Sequence, residues 1–99
     1  MSIYTALKTT GLPCVYGFFK TPKEPPYIAY IGNGQDYFVA DNKIYYAKNT
    51  YQVEYYYTTK SETNEAAIES ALTTAGYIYT KSEDIYIESE GVFVIYYYI

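Results

Sequence analysis

The chain has 99 residues, with seven lysines, no arginine and no histidine against eleven acidic residues, which gives a net charge of −4. This length fits one domain over residues 1–99, and Cys14, the single cysteine, excludes a disulfide scaffold. An acidic chain without arginine is poorly suited to binding phosphate backbones, and no apolar run approaches the ~20 residues of a membrane span.

A short opening helix is predicted over residues 2–10, capped by Ser2 and ended by Gly11 and Pro13. Extended segments follow it, interrupted at 21–26 by a proline-rich loop that cannot pair in a sheet. The strands expected in this half are residues 15–19, 27–31, 37–40, 44–48 and 51–59.

Two turns are expected between these strands. Asn33-Gly34, within residues 32–36, is a strong hairpin dipeptide, and residues 41–43 predict a second turn. From residue 51 onward the side chains alternate with a period of two, which is typical of a half-buried antiparallel strand. One side carries Tyr51, Val53, Tyr55 and Tyr57, and the other carries Gln52, Glu54, Tyr56 and Thr58.

The main helix is predicted over residues 61–75, with Ser61 or Thr63 as its cap and Gly76 as its end. We expect Glu65 and Glu69 on its solvated side. The predicted apolar stripe is Ala67, Ile68, Ala71, Leu72 and Ala75.

The segments after this helix are short until the last one. Strands are expected at 77–80, 85–87 and 92–99. The last run is apolar or aromatic on both faces, so it is either a central strand covered on one side by the helix, or its second face meets another molecule. The predicted fold is α+β: a single mainly antiparallel sheet with the 61–75 helix packed on one face and a short N-terminal helix.

Candidate chemistry is sparse along the chain. Without histidine there is no base near neutral pH for a nucleophile, and Cys14 is expected to be a small buried hydrophobe. The Gly32-Asn33-Gly34 turn precedes a strand and not the helix that a phosphate cradle requires. Four acids, Glu83, Asp84, Glu88 and Glu90, are interpreted as solvated turn carboxylates, with an interface role as the main alternative. We therefore expect no catalytic, cofactor-binding or metal-binding residues, and no enzyme.

The 17 tyrosines are more than one small core can take. Many are consecutive, and because neighbours on a strand face opposite sides, each cluster puts rings on both faces of the sheet. One helix covers only one face, so the other is predicted to be a contact surface, although scattered exposed tyrosines can also simply solvate their hydroxyls. The candidate interface residues are Tyr45, Tyr56, Tyr96, Tyr97 and Tyr98.

Several stretches resemble one protein family when taken in chain order. They are residues 6–13 (ALKTTGLP), 16–17 (YG), 26–28 (PYI), 32–36 (GNGQD), 41–43 (DNK), 51–54 (YQVE), 81–86 (KSEDIY) and 91–94 (GVFV). Together they are similar to the small head–tail joining, or tail-terminator-like, proteins of long-tailed bacteriophages and prophages of Gram-positive bacteria. Each motif alone is turn and strand chemistry, so the resemblance rests on their collinearity.

The resemblance implies a virion structural protein, assembled in the host bacterial cytoplasm, that forms a ring at the top of the tail tube. Such a ring, commonly a hexamer, stops tube polymerisation and docks to the DNA-filled head. The implied partners are other copies of this chain, the tail tube protein and a head completion or connector protein. The resemblance implies no cofactor and no catalytic residue, and a fold with helices on one side of a sheet.

Genomic DNA would pass through such a ring without specific binding, and an acidic lumen without arginine would repel it. We expect the passage to be lined by acids from the set Asp36, Asp41, Glu83, Asp84, Glu88 and Glu90. The alternative function, from a different class, is a small tyrosine-rich binding module or inhibitor that acts on a single partner.

Overall fold

The computed structural model describes residues 2–21, 23–40 and 43–99. The side chains of residues 36–40 and 43–47 are not described. Two helices and six strands follow one another as α1 (Ile3–Lys8), β1 (Cys14–Tyr16), β2 (Tyr27–Ala40), β3 (Lys43–Tyr57), α2 (Glu62–Thr74), β4 (Thr80–Lys81), β5 (Ile85–Ile87) and β6 (Val92–Tyr98). The prediction of an α+β fold with one main helix and a short N-terminal helix is confirmed.

All six strands belong to one mixed sheet with the order β1-β2-β3-β6-β4. β5 also pairs with β6, so β4 and β5 share the edge of β6 that β3 does not occupy. β1 runs parallel to β2, and the other described pairings are antiparallel. The last long run of the chain is therefore an interior strand, as one of the two alternatives for it required.

β2 and β3 are much longer than the rest of the sheet. β3 pairs with β6 from Gln52 to Tyr57, and before Gln52 its described ladder partners lie on β2, apart from two backbone hydrogen bonds between Tyr51 and Ile99. The two strands thus continue beyond the body of the sheet as a two-stranded arm. The molecule accordingly measures 50 × 27 × 26 Å along its principal axes.

The predicted hairpin turn at Asn33-Gly34 is wrong. β2 runs through these residues, and the register shifts between Gly32, opposite Tyr51, and Gln35, opposite Asn49. One extra residue on β2 makes this a β-bulge, for which Gly34 supplies a φ of +92°. The strands predicted on either side are correspondingly continuous. The second turn is predicted over residues 41–43. Lys43 begins β3 and pairs with Ala40, whereas residues 41 and 42 lie outside the described residues.

Both helices have the caps that their sequences predict. The Ser2 hydroxyl accepts from the Thr5 backbone N–H at 3.1 Å, and the Ser61 hydroxyl accepts from that of Asn64 at 3.2 Å. Gly76 follows α2 with a φ of +90°, a conformation that stops the helix.

The hydrophobic core lies between the sheet and the two helices. It joins residues of α1 and α2 to one face of β2, β3 and β6 in a single cluster: Ile3, Leu7, Ile28, Tyr30, Val53, Tyr55, Tyr57, Ile68, Leu72, Ile95, Tyr97 and Ile99. We call this the inner face. The helices therefore cover one face of the sheet, and the opposite, outer face is left without a helix.

Candidate functional site

The outer face carries rows of side chains that run straight across β2, β3 and β6. The middle row is Ala29, Glu54 and Tyr96. The flanking rows are Tyr27, Tyr56 and Val94 on one side, and Ile31, Gln52 and Tyr98 on the other. We define the outer tyrosine cluster as Tyr27, Tyr56, Tyr96 and Tyr98.

The cluster consists of two stacked pairs of rings. Tyr27 and Tyr56 stack across neighbouring strands, with ring centroids 5.0 Å apart and planes 24° apart. Tyr96 and Tyr98 stack along β6 at 6.1 Å and 22°. Tyr98 is 41% exposed and the other three rings are half-buried, so the pairs present partly solvated aromatic surface with few rotamers to freeze on contact.

Glu54 lies between the two pairs, level with Tyr96. Its Oε1 accepts from the Tyr56 hydroxyl at 2.5 Å, and its Oε2 accepts from Gln52 Nε2 at 2.9 Å. Burial raises the pKa of Tyr27, Tyr56 and Tyr96, and the nearby Glu54 charge raises each of them further. The phenols therefore stay neutral at physiological pH.

A pocket of about 210 Å³ opens beside the Tyr27–Tyr56 pair. Phe18 and Phe19, from the segment after β1, line it together with Lys23 and Glu90. Phe18 is 80% exposed, which is unusual for a phenylalanine. The pocket extends the aromatic surface of the outer face toward the β1 edge of the sheet.

Of the predicted interface residues, Tyr56, Tyr96 and Tyr98 lie together on the outer face. Tyr97 does not, and its placement at an interface is wrong: it is fully buried in the inner core, because adjacent residues of β6 alternate between faces. The side chain of Tyr45 lies outside the described part of the chain. Sequence reasoning missed Tyr27 and Glu54; Glu54 shares the alternating side of Tyr56, whereas the place of Tyr27 depends on the β2–β3 register.

On the inner face, polar groups of α2 and its surroundings satisfy the hydroxyls of buried tyrosines. Asn64 Nδ2 donates to the Tyr55 hydroxyl at 3.2 Å, and the Tyr97 hydroxyl donates to Glu69 at 2.8 Å. The Tyr57 hydroxyl donates to Asp84. Tyrosine can therefore serve as a core residue here, because each ring is buried while its oxygen keeps a partner.

The expectation that Glu65 lies on the solvated side of the helix is wrong. Its side chain is 4% exposed, and it is neutralised by Lys60 Nζ at 2.7 Å from Oε2 and by Lys81 Nζ at 2.9 Å from Oε1. Glu69 is half-buried, and Lys81 also lies 2.8 Å from its Oε2. These ion pairs connect α2 to β4 and to the segment that precedes the helix. They also stabilise the buried Glu65, because a buried carboxylate without a partner would be costly.

The four predicted lumen acids whose side chains the structure describes have different surroundings. Glu83 and Glu88 are exposed, Glu90 borders the outer-face pocket, and Asp84 is held by Tyr57 and Lys60. The side chain of Asp36 and the whole of Asp41 lie outside the described residues. In the described ranges, no group of three or more acidic or cysteine side chains is arranged to hold a metal ion.

Cys14 is partly buried against the core cluster, as a small apolar residue would be. Burial raises the pKa of its thiol to about 11, with Lys8 opposing the shift. The thiol is therefore protonated at neutral pH and is a poor nucleophile. In the part of the chain that the structure describes, no helix is long and apolar enough to cross a bilayer.

Comparison with protein-family models, curated proteins and solved structures found no match to this chain.

Asp84 provides a test of the inner polar network. The hydrogen bonds from Tyr57 and Lys60 hold the pKa of Asp84 below its usual value, so it contributes stability above the unfolded pKa of about 4, which is lost as pH falls through the folded pKa. We expect Asp84→Asn to lower the free energy of unfolding by about 1 kcal/mol at pH 7. The difference should vanish near pH 2, as measured by urea denaturation.

The matched control is Glu83→Gln, which neutralises the adjacent exposed carboxylate. It should leave the free energy of unfolding within about 0.5 kcal/mol of the wild type. Equal effects of the two substitutions at pH 7 would contradict a specific role for Asp84.

Proposed function

We propose that this chain is a structural protein of a bacteriophage or prophage virion, which caps the tail tube and joins the tail to the head as a ring. It acts by assembly and not by catalysis. The observation that carries the proposal is the outer tyrosine cluster, an aromatic surface on a sheet face that has no covering helix. Such surfaces favour protein contacts because they bury large areas at low entropic cost.

Ring formation requires two different surfaces on each subunit, because neighbours meet head to tail. The outer tyrosine cluster supports one of them. The β2–β3 arm supports the other. Over most of the arm, the described residues of β2 and β3 pair only with each other. An isolated two-stranded ribbon is marginally stable in water, so contact with a neighbouring subunit would stabilise it.

The alternative, a module that inhibits or binds one partner, would use the outer face without self-association. It predicts a complex of one or two copies with a single heterologous protein. The position of the gene separates the two classes cheaply, because a place between head-completion and major tail genes favours the virion protein.

A particle assay tests the proposal through Tyr98, the most exposed ring of the cluster. In a phage that lacks this gene, we expect electron microscopy to show overlong or headless tails, which wild-type protein corrects. Tyr98→Asp should fail to correct them, because a buried charge without a partner opposes assembly.

Tyr4→Asp is the matched control, since Tyr4 is similarly exposed, at 44%, but lies on α1. It should restore normal particles. Normal virions in the absence of the protein would reject the proposal. Full correction by a folded Tyr98→Asp protein would mean that ring assembly does not use the outer face.

Two acids in the turns on either side of β5 provide a separate test of the proposed DNA passage. Glu83 and Glu88 are exposed, and negative charge in a lumen would keep DNA from adhering. If they line it, Glu83→Lys combined with Glu88→Lys should slow genome ejection, measured as DNA release after receptor triggering. The control Glu62→Lys reverses an exposed charge on α2 and should leave ejection unchanged. Wild-type ejection kinetics in the double variant would contradict the lumen assignment.

A further inference from the structure

Glu54 lies beside the rings of Tyr56 and Tyr96 and has no cationic partner among the described residues. The four ion pairs of the described side chains all involve Lys60 or Lys81, and they bind Glu65, Glu69 and Asp84. Those acids belong to the network around α2 and its neighbours, whereas Glu54 is on the outer face. Glu54 therefore forms no ion pair within the described part of the molecule.

The hydrogen bonds of Glu54 fix its position without neutralising it. Tyr56 and Gln52 each donate to one of its oxygens, and both donors are uncharged. A carboxylate has about four acceptor positions, so at least one lone pair on each oxygen remains available to an incoming donor. Tyr96 lies directly opposite on β6, and on the other side the neighbour is the small Ala29.

We propose that this position binds an arginine side chain of a different protein. Glu54 supplies the counter-charge, and the rings of Tyr56 and Tyr96 supply faces for the guanidinium. Charge complementarity carries the choice of occupant, since a fixed anion among aromatic faces is complementary to a cation that can both donate to oxygen and stack.

Arginine fits better than lysine because its planar guanidinium stacks on aromatic rings and loses less hydration on contact. This chain has no arginine, so the bound residue must come from a heterologous partner and not from a second copy. The inference rests on the proposed function in one respect: it takes the outer face to be an assembly surface, and it assigns the chemistry of the partner on that face.

The experiment is a titration of the ¹⁵N-labelled full chain, followed by NMR, with the peptide acetyl-Gly-Arg-Gly-amide. Its control is the same peptide with citrulline, which keeps the shape of arginine but has no charge. We expect saturable shifts at Gln52, Glu54 and Tyr96 at concentrations up to about 50 mM, weakened by added salt. The citrulline peptide should not produce them.

Variants localise the binding to the carboxylate and the ring. Glu54→Gln is isosteric and should weaken binding of the arginine peptide by about tenfold or more. The matched control is Glu88→Gln, an exposed carboxylate on the β5–β6 turn, which should bind like the wild type. Tyr96→Phe retains the aromatic face and should still bind, whereas Tyr96→Leu should not.

Three results would overturn the inference: no saturable shift with the arginine peptide, equal shifts with citrulline, or wild-type affinity in Glu54→Gln. Because Tyr98→Asp tests particle assembly independently, the two failures can be told apart. Loss of assembly in Tyr98→Asp without peptide binding to the wild type would reject the arginine site and leave the ring function standing. Peptide binding by the wild type together with normal particles in Tyr98→Asp would remove the outer face from ring assembly and leave the arginine site standing.

Discussion

A strand with large apolar side chains on both faces needs cover on both, and this chain has helices for one. On β6 the inward residues Ile95 and Tyr97 are fully buried beneath the helices, whereas Tyr96 and Tyr98 point away from them. Burial of apolar area is the dominant favourable contribution to folding and to association, so surface that the fold leaves open favours a partner. The outer tyrosine cluster lies on the face that the helices leave open, where Ala29 and Val94 are buried but Tyr98 is exposed.

The covered face shows how tyrosine takes the place of leucine and phenylalanine in a core. Buried phenols need acceptors or donors, and the chain supplies them from Asn64, Glu69 and Asp84. Carboxylates drawn toward the core in turn require cations, which Lys60 and Lys81 provide. The cost of a tyrosine-rich interior is thus a polar network around the main helix, and that network occupies the lysines nearest to it. None of its ion pairs reaches Glu54 on the other face.

Local signals in the sequence predicted the helices well, because caps, Gly76 and apolar periodicity act within a few residues. They predicted the sheet less well. Asn33-Gly34 favours a positive φ in a turn and in a bulge alike, and only the pairing of β2 with β3 decides between them. A solvated position for Glu65 is the expectation that fails, because its spacing from Ile68 and Leu72 puts it on the buried side of α2.

The candidate site was predictable to a similar extent. Because side chains alternate along a strand, the sequence separates Tyr56 from its neighbours on β3, and Tyr96 and Tyr98 from Tyr97 on β6. Which of the two sides faces the helices depends on tertiary packing. That is why Tyr97 was wrongly grouped with its neighbours. Tyr27 belongs to the cluster because of the β2–β3 register. Glu54 is a candidate binding residue because it forms no ion pair with the described residues around it. Neither property is carried by a local motif.

The proposed ring assembly requires that the outer tyrosine cluster is buried in the assembled particle. Hydroxyl-radical footprinting measures this directly, by comparing the oxidation rates of individual tyrosines in the free chain and in intact virions. We predict that Tyr96 and Tyr98 become strongly protected in the virion, while Tyr4 on α1 oxidises at a similar rate in both states. Equal oxidation of Tyr96 and Tyr98 in the free and assembled states would contradict the account.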